Sequence, residues 1–354
     1  MKSLLIPVFL SISFVQVANG RDPLVHVSLA KDNRIITYQL DDRDGTLNEV
    51  DSVMVDGGPG ALAAHPTKPV IYASIRQVGH LASFSVDERT GTLTKINEVT
   101  AGADPAYLAI DGSGKYLMSA YYKAGKILVH AITENGAIGE ELQSIATDER
   151  AHAIVPDRTS RFWFVPHTRP NAIFQFRFDA DKQRLTANEP AKLTRRQQTG
   201  PRHLWFHPSL NTAYTSDEQG RSVSAYRFDP AQGTLELTQT LSTLPEDYDH
   251  NVGGSTSDIE VHPSGKYVYV ANRGHDSIAR FGVDMDLGTL VHLGNTESET
   301  TTRSFNIDPS GQLLIAAGQN SGKLAVFRID ATDGDLTRIN TVPTGNSPWW
   351  VLIR

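Results

Sequence analysis

The chain has 354 residues, of which 39% are hydrophobic and 21% are charged, a composition typical of a globular protein rather than a disordered one. Its formal net charge of −7 argues against nucleic acid or an anionic membrane surface as the main partner. The chain contains no cysteine, which excludes disulfide bonds and cysteine-based metal or redox sites.

The first twenty residues differ from the rest of the chain. A single positive charge at Lys2 precedes an apolar run over residues 4–17, and small residues follow at Ala18 and Gly20. This pattern is typical of a secretory signal peptide, although an uncleaved N-terminal anchor is an alternative. We therefore expect residues 1–20 to be a signal peptide and the protein to be exported, either periplasmic or secreted. No later segment is long and apolar enough to span a bilayer, so we expect no membrane association after the signal is removed.

A turn of the Gly-x-Leu type recurs seven times along the chain. The copies DGTL, TGTL, NGAI, KQRL, QGTL, LGTL and DGDL end at positions 47, 93, 138, 185, 235, 290 and 336. Their spacing of 45 to 55 residues is that of four-stranded propeller blades. Between them lie short runs rich in Val, Ile, Tyr and Phe, and no segment has a convincing helical pattern. The sequence therefore predicts an all-β fold over residues 21–354, a single seven-bladed β-propeller with four antiparallel strands in each blade.

The two ends of the repeat predict how the ring closes. The segment LVHVSLA (24–30) resembles the second strand of a blade, whereas SPWWVLIR (347–354) resembles a first strand. We therefore expect the C-terminal strand to complete the N-terminal blade, which would leave no free sheet edge at the closure. Trp349 and Trp350 are then expected to belong to the core.

The alternation of strand direction divides the loops of a propeller between two faces. One face receives stereotyped turns such as HPSGK, and we interpret His65, His207 and His262 as residues of these turns. The other face receives the irregular loops, such as DEQGR and NRGHDS, together with connections of variable length between blades. Variable polar loops on a rigid scaffold commonly carry function, so the site is expected on this second face.

The residues that open the innermost strands on that face form a basic rim. In blade order they are Gly60, Ala106, His152, Arg202, Ser257, Arg303 and Trp349. Neighbouring loops add Glu218 and Arg273, with His167 and His275 as further candidates. Several guanidinium groups suit a carboxylate, a phosphate or a developing oxyanion. The alternative is a water-filled rim in which Arg202 and Glu218 form a structural ion pair.

Three segments carry a resemblance to a known family. They are GPRHLWFHPSLNTAYTSDEQGRSVSAY, DIEVHPSGKYVYVANRGHDSIARF and RSFNIDPSGQLLIAAGQNSGKLAVFRID. Together they resemble the seven-bladed propeller lactonases, which include the propeller type of 6-phosphogluconolactonase and the fungal carboxymuconate lactonizing enzyme. The resemblance implies a lactonase that hydrolyses a sugar-type lactone, with a catalytic site made of four residues, His152, Arg202, Glu218 and Arg273.

Three further residues are candidates for substrate binding, namely Arg303, His203 and His275. Strict strand alternation would point His203 away from Arg202, which favours a packing role for it. We expect no cofactor and no metal site. Asp247, Asp249, His250 and Asp258 could bind a cation, but their spacing does not require one.

The alternatives to a lactonase are a lactonizing isomerase of the muconate type and a non-catalytic exported propeller that acts as a binding module. The expected partner is a small-molecule lactone. The sequence does not predict the oligomeric state.

Overall fold

The computed structural model describes residues 23–249 and 252–354, over which the chain forms twenty-eight strands and no helix. The expected signal peptide lies outside the described residues. Within the described part of the chain there is accordingly no helix that could cross a membrane. The strands form seven four-stranded antiparallel sheets, which confirms the expected propeller.

We number the blades I to VII in chain order. Blades I to III comprise β1 Leu24–Leu29, β2 Arg34–Asp41, β3 Thr46–Met54 and β28 Pro348–Ile353; β4 Pro59–Ala64, β5 Val70–Ile75, β6 His80–Val86 and β7 Leu93–Thr100; and β8 Pro105–Ile110, β9 Tyr116–Tyr121, β10 Lys126–Ile132 and β11 Ile138–Ala146. Blades IV and V comprise β12 Val155–Pro156, β13 Phe162–His167, β14 Ala172–Asp179 and β15 Arg184–Thr194; and β16 Pro201–Phe206, β17 Thr212–Asp217, β18 Ser222–Asp229 and β19 Thr234–Ser242. Blades VI and VII comprise β20 Ser255–Val261, β21 Tyr267–Arg273, β22 Ser277–Val283 and β23 Leu290–Glu297; and β24 Thr302–Ile307, β25 Leu313–Gly318, β26 Lys323–Ile329 and β27 Leu336–Pro343.

The ring closes through the C-terminal strand, as the sequence predicted. β28 is the innermost strand of blade I and pairs antiparallel with β1, with Val25 opposite Ile353 and Val27 opposite Val351. The closure therefore joins the two ends of the chain by a full strand pairing, and β1 lies between β28 and β2 and is not an edge strand.

The core lies between neighbouring blades, and the recurrent turns are tied to it. The buried Tyr72, Tyr214 and Tyr269 belong to the second strands of their blades. Each hydroxyl donates a hydrogen bond to a glycine carbonyl in a Gly-x-Leu turn of the following blade, at Gly136, Gly288 and Gly334 respectively. In these three copies the turn both reverses the chain and bonds to the adjacent blade.

The turn-face histidines connect blades in a similar way. Nδ1 of His207 accepts hydrogen bonds from two backbone N–H groups of its own turn, so its Nε2 carries the proton. That Nε2 donates to the carbonyl of Gly265 in the next blade, at 2.9 Å. His65 and His262 bond in the same manner to Gly114 and Gly311. These contacts confirm that the three histidines are turn residues.

A bulge recurs near the start of the innermost strands. The register shifts between Pro105 and Tyr107 in β8, between Pro201 and His203 in β16, and between Thr302 and Ser304 in β24. β28 has the corresponding irregularity beside Trp349. A bulge inserts an unpaired residue and redirects side chains from strict alternation. The inserted positions are the rim positions that the sequence alignment of the blades selects.

Candidate active site

The basic rim consists of side chains from blades IV to VII and I. Arg202 and Arg303 occupy bulge positions in β16 and β24, and Trp349 occupies that of β28. Arg273 is the last residue of β21, and Glu218 follows β17 directly. Innermost strands and the loops after second strands therefore converge on the variable face.

Arg202 is the most deeply buried of these cations, with only 2% of its surface exposed. Nη1 donates to the backbone oxygen of Ser257 and lies 3.1 Å from Nε2 of His203, while Nε has no hydrogen-bond partner. Burial and the nearby Arg273 lower the pKa of Arg202 to about 10, so the guanidinium is still charged at neutral pH. This cation is held by neutral acceptors and is not directly neutralised.

Glu218 forms its ion pair with Arg273 and not with Arg202. Oε1 of Glu218 lies 2.9 Å from Nη2 of Arg273, which also donates to the backbone oxygen of Thr256. The alternative of a structural ion pair between Arg202 and Glu218 is therefore wrong, because the partner of Glu218 is Arg273. Burial alone would raise the pKa of Glu218, but Arg202 and Arg273 outweigh it and the net pKa is lowered. The carboxylate is thus ionised, and its Oε2 is buried without a partner.

His203 faces Arg202 instead of pointing away from it, because the bulge breaks the expected alternation. The guanidinium can only donate, so Nε2 of His203 must accept and Nδ1 must carry the proton. That Nδ1 donates to Oδ1 of Asp258, at 2.7 Å. Burial and Arg202 lower the pKa of His203 to about 4, so this imidazole is neutral. Asp258, His203 and Arg202 therefore form one hydrogen-bonded chain.

His152 lies between the rings of Tyr122 and His203, at centroid distances of 5.5 and 5.2 Å. It precedes the two-residue strand β12, and its backbone N–H donates to the carbonyl of Pro166. Burial and the surrounding cations, Arg202 first among them, hold its pKa well below the usual value. The ring is therefore neutral, and its Nδ1 is buried with no partner.

Arg303 stacks on Trp349, with the guanidinium carbon 3.5 Å from the ring centroid. Arg76 lies 4.9 Å from the same ring and pairs with Asp104 at 2.6 Å. Within the described residues Arg303 has no carboxylate partner, and its Nε is buried without a hydrogen bond. Burial and Arg202 hold the pKa of Arg303 well below its usual value. Trp349, expected in the core, is therefore a platform for cations.

Sequence reasoning missed Arg76 and the role of Asp258. The sequence does contain a signal for Arg76, because this residue begins the variable loop RQVGH on the face where the site is expected. The sequence offers Asp258 as a possible cation ligand, but its carboxylate accepts a hydrogen bond from His203. His250 lies outside the described residues. Among residues 23–249 and 252–354 there is no group of three or more His, Asp or Glu side chains that could hold a metal ion.

Two histidine candidates lie apart from the rim cluster. His275 bonds to the hydroxyl of Ser277 and packs edge-on against Tyr248. His167 is buried between the backbone oxygen of Val165 and the hydroxyl of Thr147. Both ring nitrogens of His167 and Nδ1 of His275 are engaged in local structure, and neither ring contacts the rim cluster.

The chemical character of the rim follows from its charges and its free atoms. Three guanidinium groups, of Arg202, Arg273 and Arg303, lie around the carboxylate of Glu218. Asp258 acts on Arg202 from behind His203, and Arg76 is offset by Asp104. Glu218 and the three arginines around it each have one buried polar atom without a hydrogen-bond partner. Because burial of an unpaired charge is unfavourable, such a site favours a ligand that brings negative charge or an oxygen that develops it.

Comparison with known proteins identifies the family of this chain. Residues 25–353 match the family described as Lactonase, 7-bladed beta-propeller. A 6-phosphogluconolactonase of Pectobacterium carotovorum subsp. carotovorum is 31% identical over 69% of this chain and 72% of its own. That of Yersinia pseudotuberculosis serotype O:3 is 30% identical over the same shares. A periplasmic gluconolactonase of Pseudomonas aeruginosa has the same fold, with a TM-score of 0.87 at 22% identity over 94% of this chain and 98% of that one. The chain therefore belongs to the seven-bladed β-propeller lactonase family and is a 6-phosphogluconolactonase-like lactone hydrolase.

Proposed function

We propose that the rim hydrolyses a sugar-type lactone, with water adding to the ring carbonyl and the ring C–O bond breaking to give a hydroxy acid. The observation that carries this proposal is the arrangement of Glu218. Its Oε1 is held by Arg273, while its Oε2 is buried and free in a site with three guanidinium groups. A fixed carboxylate beside unneutralised cations suits general-base attack on a carbonyl group.

Glu218 acts as the base. Its lowered pKa keeps it ionised at neutral pH, and the free Oε2 takes the proton from water as the oxygen attacks. The same proton is then available to the ring oxygen when the C–O bond breaks, so the reaction balances as lactone plus water. A lowered pKa makes a weaker base, but the fixed geometry of the carboxylate offsets that weakness.

Arg202 and Arg273 stabilise the charge that develops on the carbonyl oxygen. Arg202 is fixed by the backbone of Ser257 and by His203, and Arg273 by Glu218 and the backbone of Thr256. Groups that are held in place before the reaction need no reorganisation when the charge appears. This fixation supports their assignment to the oxyanion.

The neutral imidazole of His152 serves as a hydrogen-bond partner of the lactone ring oxygen or the water. Its low pKa argues against a role as a cationic acid at neutral pH. Arg303, stacked on Trp349 and without a carboxylate partner, binds an oxygen-rich part of the substrate. His203 orients Arg202 through its bond to Asp258. His275 has no contact that supports a substrate role.

We also propose that the mature enzyme begins near residue 21 and acts outside the cytoplasm, in the periplasm or secreted. The support is the charge, apolar run and small residues of positions 1–20. Fractionation of cells that express the full chain, with mass determination of the product, tests this directly. Retention of residues 1–20 in a cytoplasmic product would contradict it.

The catalytic proposal is tested with the purified protein on a panel of lactones, phosphorylated and not, and on a muconate as the substrate of a lactonizing isomerase. Glu218→Gln should lower kcat for the best lactone by roughly 10² to 10⁴ while the protein remains folded. Glu140→Gln, at an exposed position in β11, is the matched control and should have wild-type activity. A folded Glu218→Gln enzyme with an unchanged rate contradicts the base assignment, and turnover of muconate alone favours the isomerase.

A further inference from the structure

A pocket lies near the rim on the variable face. It has a volume of about 560 Å³ and is formed by four segments of blades IV and V and their connections, residues 148–150, 168–171, 197–198 and 219. Each segment lies next to a rim element in the chain. Arg150 precedes His152 by two residues, Gln219 follows Glu218, and residues 197–198 lead to Arg202. The pocket is therefore connected to the rim through these loops, although its lining residues are its own.

The pocket offers many free hydrogen-bonding groups. The amides of Gln197, Gln198 and Gln219 are exposed and make no side-chain hydrogen bonds within the described part of the chain. Thr168 is different, because only 1% of its surface is exposed and its hydroxyl has no partner. A buried hydroxyl without a partner is unfavourable, and Thr168 is one of the residues that line the pocket.

The charge of the pocket distinguishes it from the rim. Two acids, Asp148 and Glu149, are balanced by two bases, Arg150 and Arg169. In the rim, by contrast, the guanidinium groups outnumber the carboxylates of Glu218 and Asp258. A balanced set of amides, a hydroxyl and mixed charges suits a neutral ligand with many donors and acceptors. A sugar ring has this chemistry, and a second anion does not.

We infer that this pocket binds a neutral sugar ring attached to the lactone, so that the preferred substrate is the lactone of a disaccharide aldonic acid. The inference rests on the proposed function, because the lactone ring itself would occupy the rim. The volume falls within the usual range of roughly 300–1,000 Å³ for small-molecule sites, which leaves room for one additional ring.

The first test compares glucono-1,5-lactone, which has a single ring, with cellobiono-1,5-lactone, which adds one glucose. We expect the wild-type kcat/KM to be at least about tenfold higher for the disaccharide lactone, equivalent to about 1.4 kcal/mol. Equal kcat/KM values, or a preference for the single ring, overturn the inference and leave the proposed function standing. Hydrolysis of neither lactone, nor of the others in the panel, overturns the proposed function and this inference with it.

The second test uses pocket variants and reads the ratio of the two kcat/KM values. Thr168→Val removes the hydroxyl at nearly constant shape, and Gln219→Ala removes an amide, and each should lower the ratio about fivefold or more. Thr168→Val should not lower the melting temperature, since it removes a buried group without a partner. Gln232→Ala, an exposed glutamine in the turn between β18 and β19 on the opposite face, is the control and should preserve the ratio. A ratio unchanged in both pocket variants contradicts a sugar in this pocket.

Discussion

The two ends of β16 use histidine in opposite ways. At the turn end, His207 bonds to its own turn and to Gly265 of the next blade, and so stabilises the ring. At the rim end, His203 lies between Arg202 and Asp258 and stabilises the placement of a cation. Both imidazoles are buried and neutral, but one is part of the scaffold and the other of the site.

This difference shows that burial alone does not identify a functional histidine. What separates the two is the partner: backbone groups of a repeated turn at one end, and ionised side chains at the other. We therefore expect two separable classes of variant. Changes at the rim should reduce activity with little effect on stability, and changes at the turns should do the reverse.

The largest expected effect is that of Arg202→Met on activity. Loss of a fixed donor to a developing oxyanion typically lowers kcat by about 10² to 10³. Stability should be unchanged or higher, because the guanidinium is buried beside Arg273 and has no carboxylate of its own. Steady-state kinetics and thermal unfolding measure the two quantities. A large fall in melting temperature would place Arg202 with the scaffold and remove the distinction between the two ends.

The converse variant is Gly265→Ala at the turn end. Gly265 has a φ of +76°, and an added Cβ would lie 2.6 Å from the ring of His207. We expect a loss of about 2–3 kcal/mol in unfolding free energy from backbone strain and the displaced histidine, with kcat retained. Gly253→Ala is the control, since nothing lies within 4 Å of its Cβ position. Equal stability of the two variants would show that the inter-blade bond contributes little.

The sequence predicted the scaffold better than the site. Periodic turns specify blades because each repeat must satisfy the same backbone and packing requirements, and the strand that closes the ring carries the same signal. The contacts of Arg202 were harder to predict. A bulge places both Arg202 and His203 in the cluster, and an alternating pattern does not reveal a bulge. The pairing of Glu218 with Arg273 joins two blades, and their relative position depends on the assembled ring.

A smaller effect on activity is expected from Asp258→Asn. The substitution removes the charge that keeps the proton of His203 on Nδ1. The tautomer with Nε2 free to accept a hydrogen bond from Arg202 is then less favoured. We expect kcat to fall about tenfold with a smaller change in KM, because Asp258 acts through two other side chains. An unchanged kcat with a lower melting temperature would assign Asp258 to the scaffold instead.

The last prediction concerns stability alone and the buried Glu260, which lies on β20 between the rim and the turn. It is buried beside a cavity of about 170 Å³, and its carboxyl oxygens accept hydrogen bonds from the Asn306 side chain and the Ile307 N–H. Burial, with Asp258 adding to it, holds its pKa well above the usual value. Above pH 4.5 the unfolded chain therefore loses this proton while the folded protein keeps it.

Unfolding then releases a proton, and the free energy of unfolding contributed by this group falls as the pH rises, by at most about 1.4 kcal/mol per pH unit. Glu260→Gln removes that slope. Any constant difference between the two side chains shifts the variant's curve without changing its slope, so the slope alone is diagnostic. Urea unfolding of both proteins between pH 5 and pH 8 should give curves that diverge in favour of the variant as the pH rises. Parallel curves would mean that Glu260 ionises in the folded protein as it does in the unfolded chain, and that the cavity beside Glu260 tolerates a charge as the rim does.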